Sequence, residues 1–247
     1  MSDSAIDPAE IGVAAFLQWW YGSPNPAPGE MDPLFDWVPD GLKRCHEMSA
    51  RWNLPSGGVK RLLPLSDLSE EERKFIFMAD QGGWAWAFDP TEPLAVFEAK
   101  DDDPWRRLLG GWEDFFLYHV FTETVENAPF VQWSTNISTD DVEQALAPFQ
   151  EISFRQSRWP AEGWRSYVAD GMIADVGPRE GGGDRFSITV GAKVGERLEY
   201  LNAVSGVEWR VRRNGLDSWR QPMGAPAWDW KPPAPRRGLI TDACADS

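Results

Sequence analysis

Alternating apolar positions in two short neighbouring segments predict a β-hairpin. Residues 75–79 and 84–88 are both apolar runs of strand length, and the turn between them, residues 80–83, contains Gly82 and Gly83. On the first strand, one face is expected to carry Phe75, Phe77 and Ala79. On the second strand, a neighbouring face is expected to carry Trp84, Trp86 and Phe88.

Four further segments have the spacing of helices. Residues 8–21 carry apolar side chains at steps of four, and residues 40–52 carry them three apart behind a predicted cap at Asp40. Residues 112–125 are apolar around most of the helix, which predicts a central helix with His119 as a packed, hydrogen-bonded core residue. Residues 139–149 form a shorter helix, capped by Ser138 or Thr139.

Strands dominate the rest of the chain. A third strand at residues 94–97 should follow the hairpin, and residues 151–155, 167–176, 186–192 and 207–211 are further strands around a short helix at residues 196–203. In residues 186–192, Ser187 and Thr189 oppose the apolar face, which predicts that one side is wet or at an edge. The fold class is therefore α+β, with an antiparallel sheet packed against helices and a strand-rich C-terminal extension. The sequence leaves open whether that extension continues the same sheet.

Proline, glycine and tryptophan indicate how the chain divides. Residues 1–30 are predicted to be a helix followed by a Pro/Gly linker, and residues 31–218 to be the main α+β domain. Residues 219–247, rich in proline and tryptophan, are expected to be an extended, weakly ordered tail.

Charge bears on the choice of partner. The 247-residue chain has a net charge of −15, and from Val204 onward seven basic residues oppose five acids. That end therefore carries +2, and the first 203 residues carry −17. Such a field repels nucleic acid and membrane phosphate but attracts a basic partner. The alternative is that acidity only keeps the protein in solution.

Localisation and catalysis are constrained mainly by missing signals. The sequence has no signal-peptide pattern and no bilayer-length apolar run, and Cys45 and Cys244 are its only cysteines, so a cytoplasmic protein without a disulfide is expected. Its two histidines and two cysteines lack metal-ligand spacing, and no phosphate-binding glycine loop is present. We therefore expect no cofactor, no metal site and no catalytic residue. An acidic hydrolase that uses two carboxylates remains an alternative.

One stretch of the chain resembles a known family. It comprises the helix from Val38-Pro39-Asp40-Gly41-Leu42, Leu62-Leu63-Pro64-Leu65, Asp80-Gln81 at the hairpin turn, Trp86, Trp105, and Trp112-Glu113-Asp114-Phe115-Phe116-Leu117 ahead of Glu123. Over residues 38–130 this order resembles bacterial SUKH-superfamily domains, which are similar to cell-wall-assembly regulators. The resemblance implies a non-enzymatic α+β protein, and many bacterial members are immunity proteins that neutralise polymorphic toxins.

Charge and resemblance together predict a protein-binding site. The expected partner is a cognate toxin with a basic surface, for which a nuclease is a natural candidate. The predicted partner-binding residues are Asp101, Asp102, Asp103, Glu113 and Asp114, with Trp105 as an aromatic anchor. A regulatory scaffold that binds other partners through the Pro/Trp tail is the remaining alternative.

Overall fold

The computed structural model describes residues 8–29, 31–54, 60–154, 159–179, 181 and 183–213, with side chains from residue 12 onward. The helices are α1 (Pro8–Tyr21), α2 (Asp40–Trp52), α3 (Gly111–Asn127) and α4 (Thr139–Leu146), with 3₁₀ helices at Pro33–Phe35, Leu65–Asp67 and Gly195–Ala203. The strands are β1 (Lys60–Leu62), β2 (Ser69–Glu71), β3 (Lys74–Asp80), β4 (Trp84–Phe88), β5 (Phe97–Lys100), β6 (Arg106–Arg107), β7 (Phe130–Ser138), β8 (Gln150–Ile152), β9 (Arg165–Ala169), β10 (Met172–Pro178), β11 (Arg185–Ala192) and β12 (Arg210–Arg213).

The strands form two antiparallel sheets of six strands each. The first sheet has the order β1-β3-β4-β5-β6, with β2 also paired to β3, and the second has the order β12-β7-β11-β10-β9-β8. The predicted α+β class is confirmed. The strands after residue 130 build a second sheet and do not continue the first.

The β3–β4 hairpin is confirmed, but one predicted face is wrong. Phe75 pairs with Phe88 and Met78 pairs with Trp86, and the register shifts between Ile76 and Met78. Such a bulge adds one residue to one strand and reverses the alternation beyond it. Ala79 therefore pairs with Ala85 and lies on the sheet face opposite to Phe75.

Helix α3 is the central element, as its apolar composition predicts. Its Trp112 ring lies 4.9 Å from Phe77 on the first sheet. At its other end, a Cβ on Gly191 of β11 would lie only 3.0 Å from the Val125 carbonyl oxygen, so this helix also packs closely on the second sheet. Helix α1 joins the same core, with Phe16 fully buried.

Several predicted boundaries need correction. Residues 167–176 are not one strand, because a turn at Asp170-Gly171 divides them into β9 and β10, with Gly171 at φ 65°. The third strand begins at Phe97 instead of residue 94, the final strand begins at Arg210, and the short helix after β11 is of the 3₁₀ type. The predicted tail at residues 219–247 lies outside the described residues.

One of the two predicted helix caps is confirmed, and the other is wrong. The Ser138 hydroxyl accepts a hydrogen bond from the Asp141 amide and caps α4. Asp40 does not cap α2, because it is the first helical residue and Pro39 occupies the cap position. Helix α1 contains a kink at Gly12, where φ is 74°.

The face of β11 that was expected to be wet turns toward α3. Thr189 pairs with Asp175, and Asp175 pairs with Ser166, so the three side chains form one row across β11, β10 and β9. Ser166 and Asp175 are buried, and Thr189 is half-buried. The prediction of a wet face is wrong because this polar row packs inside the molecule.

Candidate protein-binding surface and a buried polar junction

The predicted acidic loop lies at one end of the first sheet. Asp101, Asp102 and Asp103 are exposed and follow β5 directly. The Asp101 amide donates to the Gly83 carbonyl oxygen at 2.8 Å, which fixes this loop beside the β3–β4 turn.

Trp105 lies on the outer face of the same sheet and is half-buried. Its ring packs against a cluster of buried residues on that face, namely Leu63, Ile76, Ala85 and Ala87. Much of the side chain therefore stabilises the sheet.

Glu113 and Asp114 lie in the first turn of α3, at the opposite end of β4. The position of this first turn is fixed by Trp112. The Trp112 ring lies 6.3 Å from the Phe88 ring, and its indole N–H donates to the Pro93 carbonyl oxygen at 2.8 Å. The structure therefore places Asp101, Asp102 and Asp103 at one end of the first sheet and Glu113 and Asp114 at the other, with Trp105 on the outer face of the sheet.

An exposed apolar surface surrounds the end of the sheet that carries Glu113 and Asp114. Seven large apolar side chains among the described residues are exposed. Five of them lie at this end of the sheet, namely Met31, Leu34, Trp37, Leu94 and Leu109. We call the four most exposed of them the apolar patch, with exposed fractions of 72% for Leu34, 48% for Trp37, 81% for Leu94 and 72% for Leu109. Clustered exposed apolar residues are typical of interaction surfaces, whereas scattered single ones are ordinary.

Contacts of Trp37 and of residues adjacent to Leu94 and Leu109 place these three at the same end of the sheet, and Leu34 lies three residues before Trp37. The Trp37 ring lies 5.9 Å from Phe88, which in turn neighbours Trp112. The Trp112 indole N–H is hydrogen-bonded to the carbonyl oxygen of Pro93, the residue before Leu94. Leu109 follows Leu108, whose amide donates to the Val96 oxygen at 2.8 Å, so Leu109 lies alongside the chain next to Leu94.

Acidic side chains outnumber basic ones around this patch. Segments 31–43, 89–94 and 107–114 contain seven carboxylates, namely Asp32, Asp36, Asp40, Asp89, Glu92, Glu113 and Asp114, against Lys43 and Arg107. Adding the neighbouring bases Arg44, Arg73 and Lys74 gives seven acids against five bases, or a local charge of −2. Lys43 and Arg107 are already engaged with Asp40 at 3.6 Å and Glu92 at 3.7 Å.

A small cavity adjoins this region between α1, α2 and α3. Its volume is about 70 Å³, and its walls include Cys45, Met48, Trp112 and Glu113. The Cys45 thiol is buried and free, and burial raises its pKa. A thiol held in the protonated form is a poor nucleophile, so this cavity offers little chemistry.

The second feature is a buried polar junction between the two sheets and α3. Lys60 of β1 donates a short hydrogen bond to the Thr122 hydroxyl of α3, and its Nζ lies 3.9 Å from Glu123 Oε1. The exposed fractions of the Lys60 and Glu123 side chains are 2% and 7%. The charged head of a lysine is thus enclosed by protein.

Trp159, in the segment that precedes β9, contacts three elements at this junction. Its ring lies 3.7 Å from Lys60 Nζ, and its indole N–H donates to Asp80 Oδ2 of β3 at 2.8 Å. The Tyr118 hydroxyl of α3 donates to the Trp159 carbonyl oxygen at 2.6 Å. One residue therefore ties the β8–β9 connection of the second sheet to the first sheet and to the central helix.

Burial changes the ionisation of the junction. It lowers the pKa of Lys60 to about 8, although Glu123 and Asp175 act in the opposite direction. It raises the pKa of Glu123 to about 7 and that of Asp175 to about 7, against the opposing effect of the lysine. The Ser166 hydroxyl donates to Asp175 Oδ1 at 2.6 Å.

Next to these groups, His119 is buried as predicted but lacks one expected hydrogen bond. Its Nδ1 has no hydrogen-bond partner among the described residues. Burial, followed by the nearby Lys60 charge, lowers its pKa well below the ordinary range, so the imidazole is neutral.

Groups with pKa values near neutrality can exchange protons, and such groups often mark active sites. Here the same groups are enclosed and engaged with each other, which favours a structural role that joins the sheets. Within the described ranges, no set of three histidine, cysteine or acidic residues is placed to hold a metal ion. Likewise, no helix among the described residues has the length and apolar character needed to cross a bilayer.

The sequence could not identify either feature in full. Leu94 had the appearance of a strand residue, and Trp37 was indistinguishable from the many core tryptophans. Lys60 lies two residues after the Gly57-Gly58 pair, and its sequence neighbours do not indicate burial. Only the acidic composition around Glu113 and Asp114 indicated the exposed surface.

Comparisons with known proteins do not identify the function of this chain. No family model, no curated protein and no solved structure matches this chain.

Proposed function

We propose that this chain is an immunity protein that neutralises a basic toxin by binding it directly. The single observation that carries the proposal is the apolar patch with its acidic surroundings. Exposed tryptophan and leucine side chains beside carboxylates that outnumber the neighbouring bases are the residue types that bind a surface of opposite charge.

The overall charge supports the same conclusion. A chain with a net charge of −15 attracts a cationic protein over a distance of several ångströms and accelerates the encounter. An acidic protein can have many functions. The resemblance of residues 38–130 to SUKH-superfamily domains favours toxin binding over the others. Such an immunity protein acts in the cytoplasm, where it meets the toxin, and it acts by occlusion without a cofactor.

The proposal is tested with the gene next to the one that encodes this chain. A toxin domain encoded there is expressed in a bacterial host from an inducible promoter, with and without this chain. We expect growth arrest from the toxin alone and growth at the uninhibited rate when the chain is co-expressed. Absence of a neighbouring toxin gene, or arrest that co-expression leaves unchanged, would contradict the proposal.

A further inference from the structure

We infer that the toxin docks on the apolar patch, with an apolar side chain of the toxin seated among Leu34, Trp37, Leu94 and Leu109 and its lysines and arginines over the surrounding carboxylates. This inference rests on the proposed function and names the surface that carries it out.

Charge distinguishes this patch from the other exposed apolar positions. Val211 lies on β12, whose other residues are Arg210, Arg212 and Arg213. Val194 follows Lys193, whose ammonium lies 4.5 Å from the Trp19 ring. A basic partner is repelled by the arginines at the first site and meets Lys193 as well as Glu196 at the second, whereas the patch region carries a charge of −2.

Apolar exposure distinguishes the patch from the acidic loop at the other end of the first sheet. Asp101, Asp102 and Asp103 are exposed, but the neighbouring Trp105 is half-buried against the sheet. Charged rim residues contribute little affinity unless an apolar centre excludes water from the contact. Only the end that carries Glu113 and Asp114 combines both features among the described residues.

The rigidity of the supporting framework also favours this end. The Trp37 ring lies 4.8 Å from the Phe75 ring at an interplanar angle of 59°, and Trp112 anchors the loop before Leu94 through its indole hydrogen bond. Side chains held on a rigid framework lose little conformational entropy when a partner binds. The exposed leucines are thus presented in a fixed arrangement.

The test compares two matched double variants of the full chain. Leu94→Ser with Leu109→Ser removes two exposed apolar side chains from the patch, and Val194→Ser with Val211→Ser removes two from the region near the C-terminal end of α3. The probe is the purified toxin domain encoded by the adjacent gene, and the readouts are the Kd and the thermal unfolding midpoint.

We expect the leucine variant to weaken toxin binding roughly tenfold or more, with its unfolding midpoint unchanged, because two apolar contacts are lost at the centre of the interface. The valine variant should change the Kd less than about twofold. Equal effects of the two variants, or no effect of the leucine variant, would overturn the docking site while leaving the proposed function intact. Failure of the unaltered chain to bind the toxin domain would instead refute the proposed function.

A second copy of the chain is the other possible occupant. Light scattering over a concentration series separates the two cases. A dimer that the leucine variant abolishes would overturn the inference, because the patch would then be a self-association surface. A monomer at every concentration is the expected result.

Discussion

The ammonium of Lys60 lies 3.7 Å from the centroid of the Trp159 ring, although the two residues are 99 positions apart in the chain. A lysine over a tryptophan face, away from water, is stabilised by the negative face of the ring. The contact joins the edge strand of the first sheet to the connection between β8 and β9 of the second sheet. The polar junction is therefore a long-range connection on which the relative position of the two sheets depends.

Removing the lysine should destabilise the fold in a pH-dependent way. Lys60→Met leaves the buried carboxylates of Glu123 and Asp175 without the nearby cation, and removing one partner of a buried ion pair costs about 3 kcal/mol near pH 8. Near pH 5 both carboxyl groups are protonated, so the loss should be much smaller. Chemical denaturation at the two pH values measures the difference, and an equal cost at both would contradict this description of the junction.

Neutralising Asp175 should have the opposite effect. Burial raises its pKa from about 3.8 to about 7, so the folded state binds this proton more tightly than the unfolded state. The resulting stability is fully present below pH 4 and is lost as the pH rises toward 7. Asp175→Asn keeps an acceptor for Ser166 and does not titrate.

We therefore expect Asp175→Asn to match the unaltered chain near pH 4 and to exceed its free energy of unfolding by roughly 2–4 kcal/mol at pH 8. Urea denaturation at several pH values provides the measurement. Asp102→Asn, at an exposed position, controls for the change in net charge. A variant less stable than the unaltered chain at pH 8 would show that ionised Asp175 is favourable in the folded state.

Trp159 offers a test of the hydrogen bond to Asp80. Trp159→Phe removes the indole donor but keeps an aromatic ring over Lys60, and a lost hydrogen bond to a carboxylate should cost about 1–3 kcal/mol. Trp159→Ala removes the ring as well and should cost more. Hydrogen exchange should then accelerate in β1 and in β9 together, because the Trp159 ring contacts Lys60 of β1 and the segment that carries Trp159 runs into β9. Faster exchange in only one sheet would mean that Trp159 does not connect them.

Surface charge should control the rate of toxin association. Asp36→Asn with Glu113→Gln removes two negative charges beside the apolar patch, and Glu196→Gln with Glu199→Gln removes two from the 3₁₀ helix on the second sheet. The first pair should slow association about fivefold at low salt, with little change in dissociation, and the second should slow it less than about twofold. Stopped-flow mixing with the toxin domain gives both rates. Equal slowing by the two pairs would indicate attraction by net charge alone.

Local patterns predict the parts of the fold that depend on neighbouring residues. The β3–β4 hairpin and α3 were found because their apolar spacing is strong over a short range. Strand β7 was missed, although it lies inside the second sheet between β12 and β11. Its Gln132 and Ser134 are buried polar residues, and they interrupt the alternation that marks a half-buried strand.

The candidate site was only partly predictable for a related reason. Glu113 and Asp114 could be chosen from charge, but exposure of Leu94 and Leu109 depends on which element covers them in three dimensions. The burial of Lys60 likewise depends on Thr122, which is 62 positions away. Sequence spacing does not record contacts of this range.

Calorimetric titration of the purified chain with the toxin domain from the neighbouring gene would decide whether this acidic protein binds a basic one. We expect a one-to-one complex whose affinity falls about tenfold or more between 50 and 300 mM salt, since screening weakens the attraction of exposed charges. No binding heat at either salt concentration, together with no complex on a sizing column, would contradict the proposal.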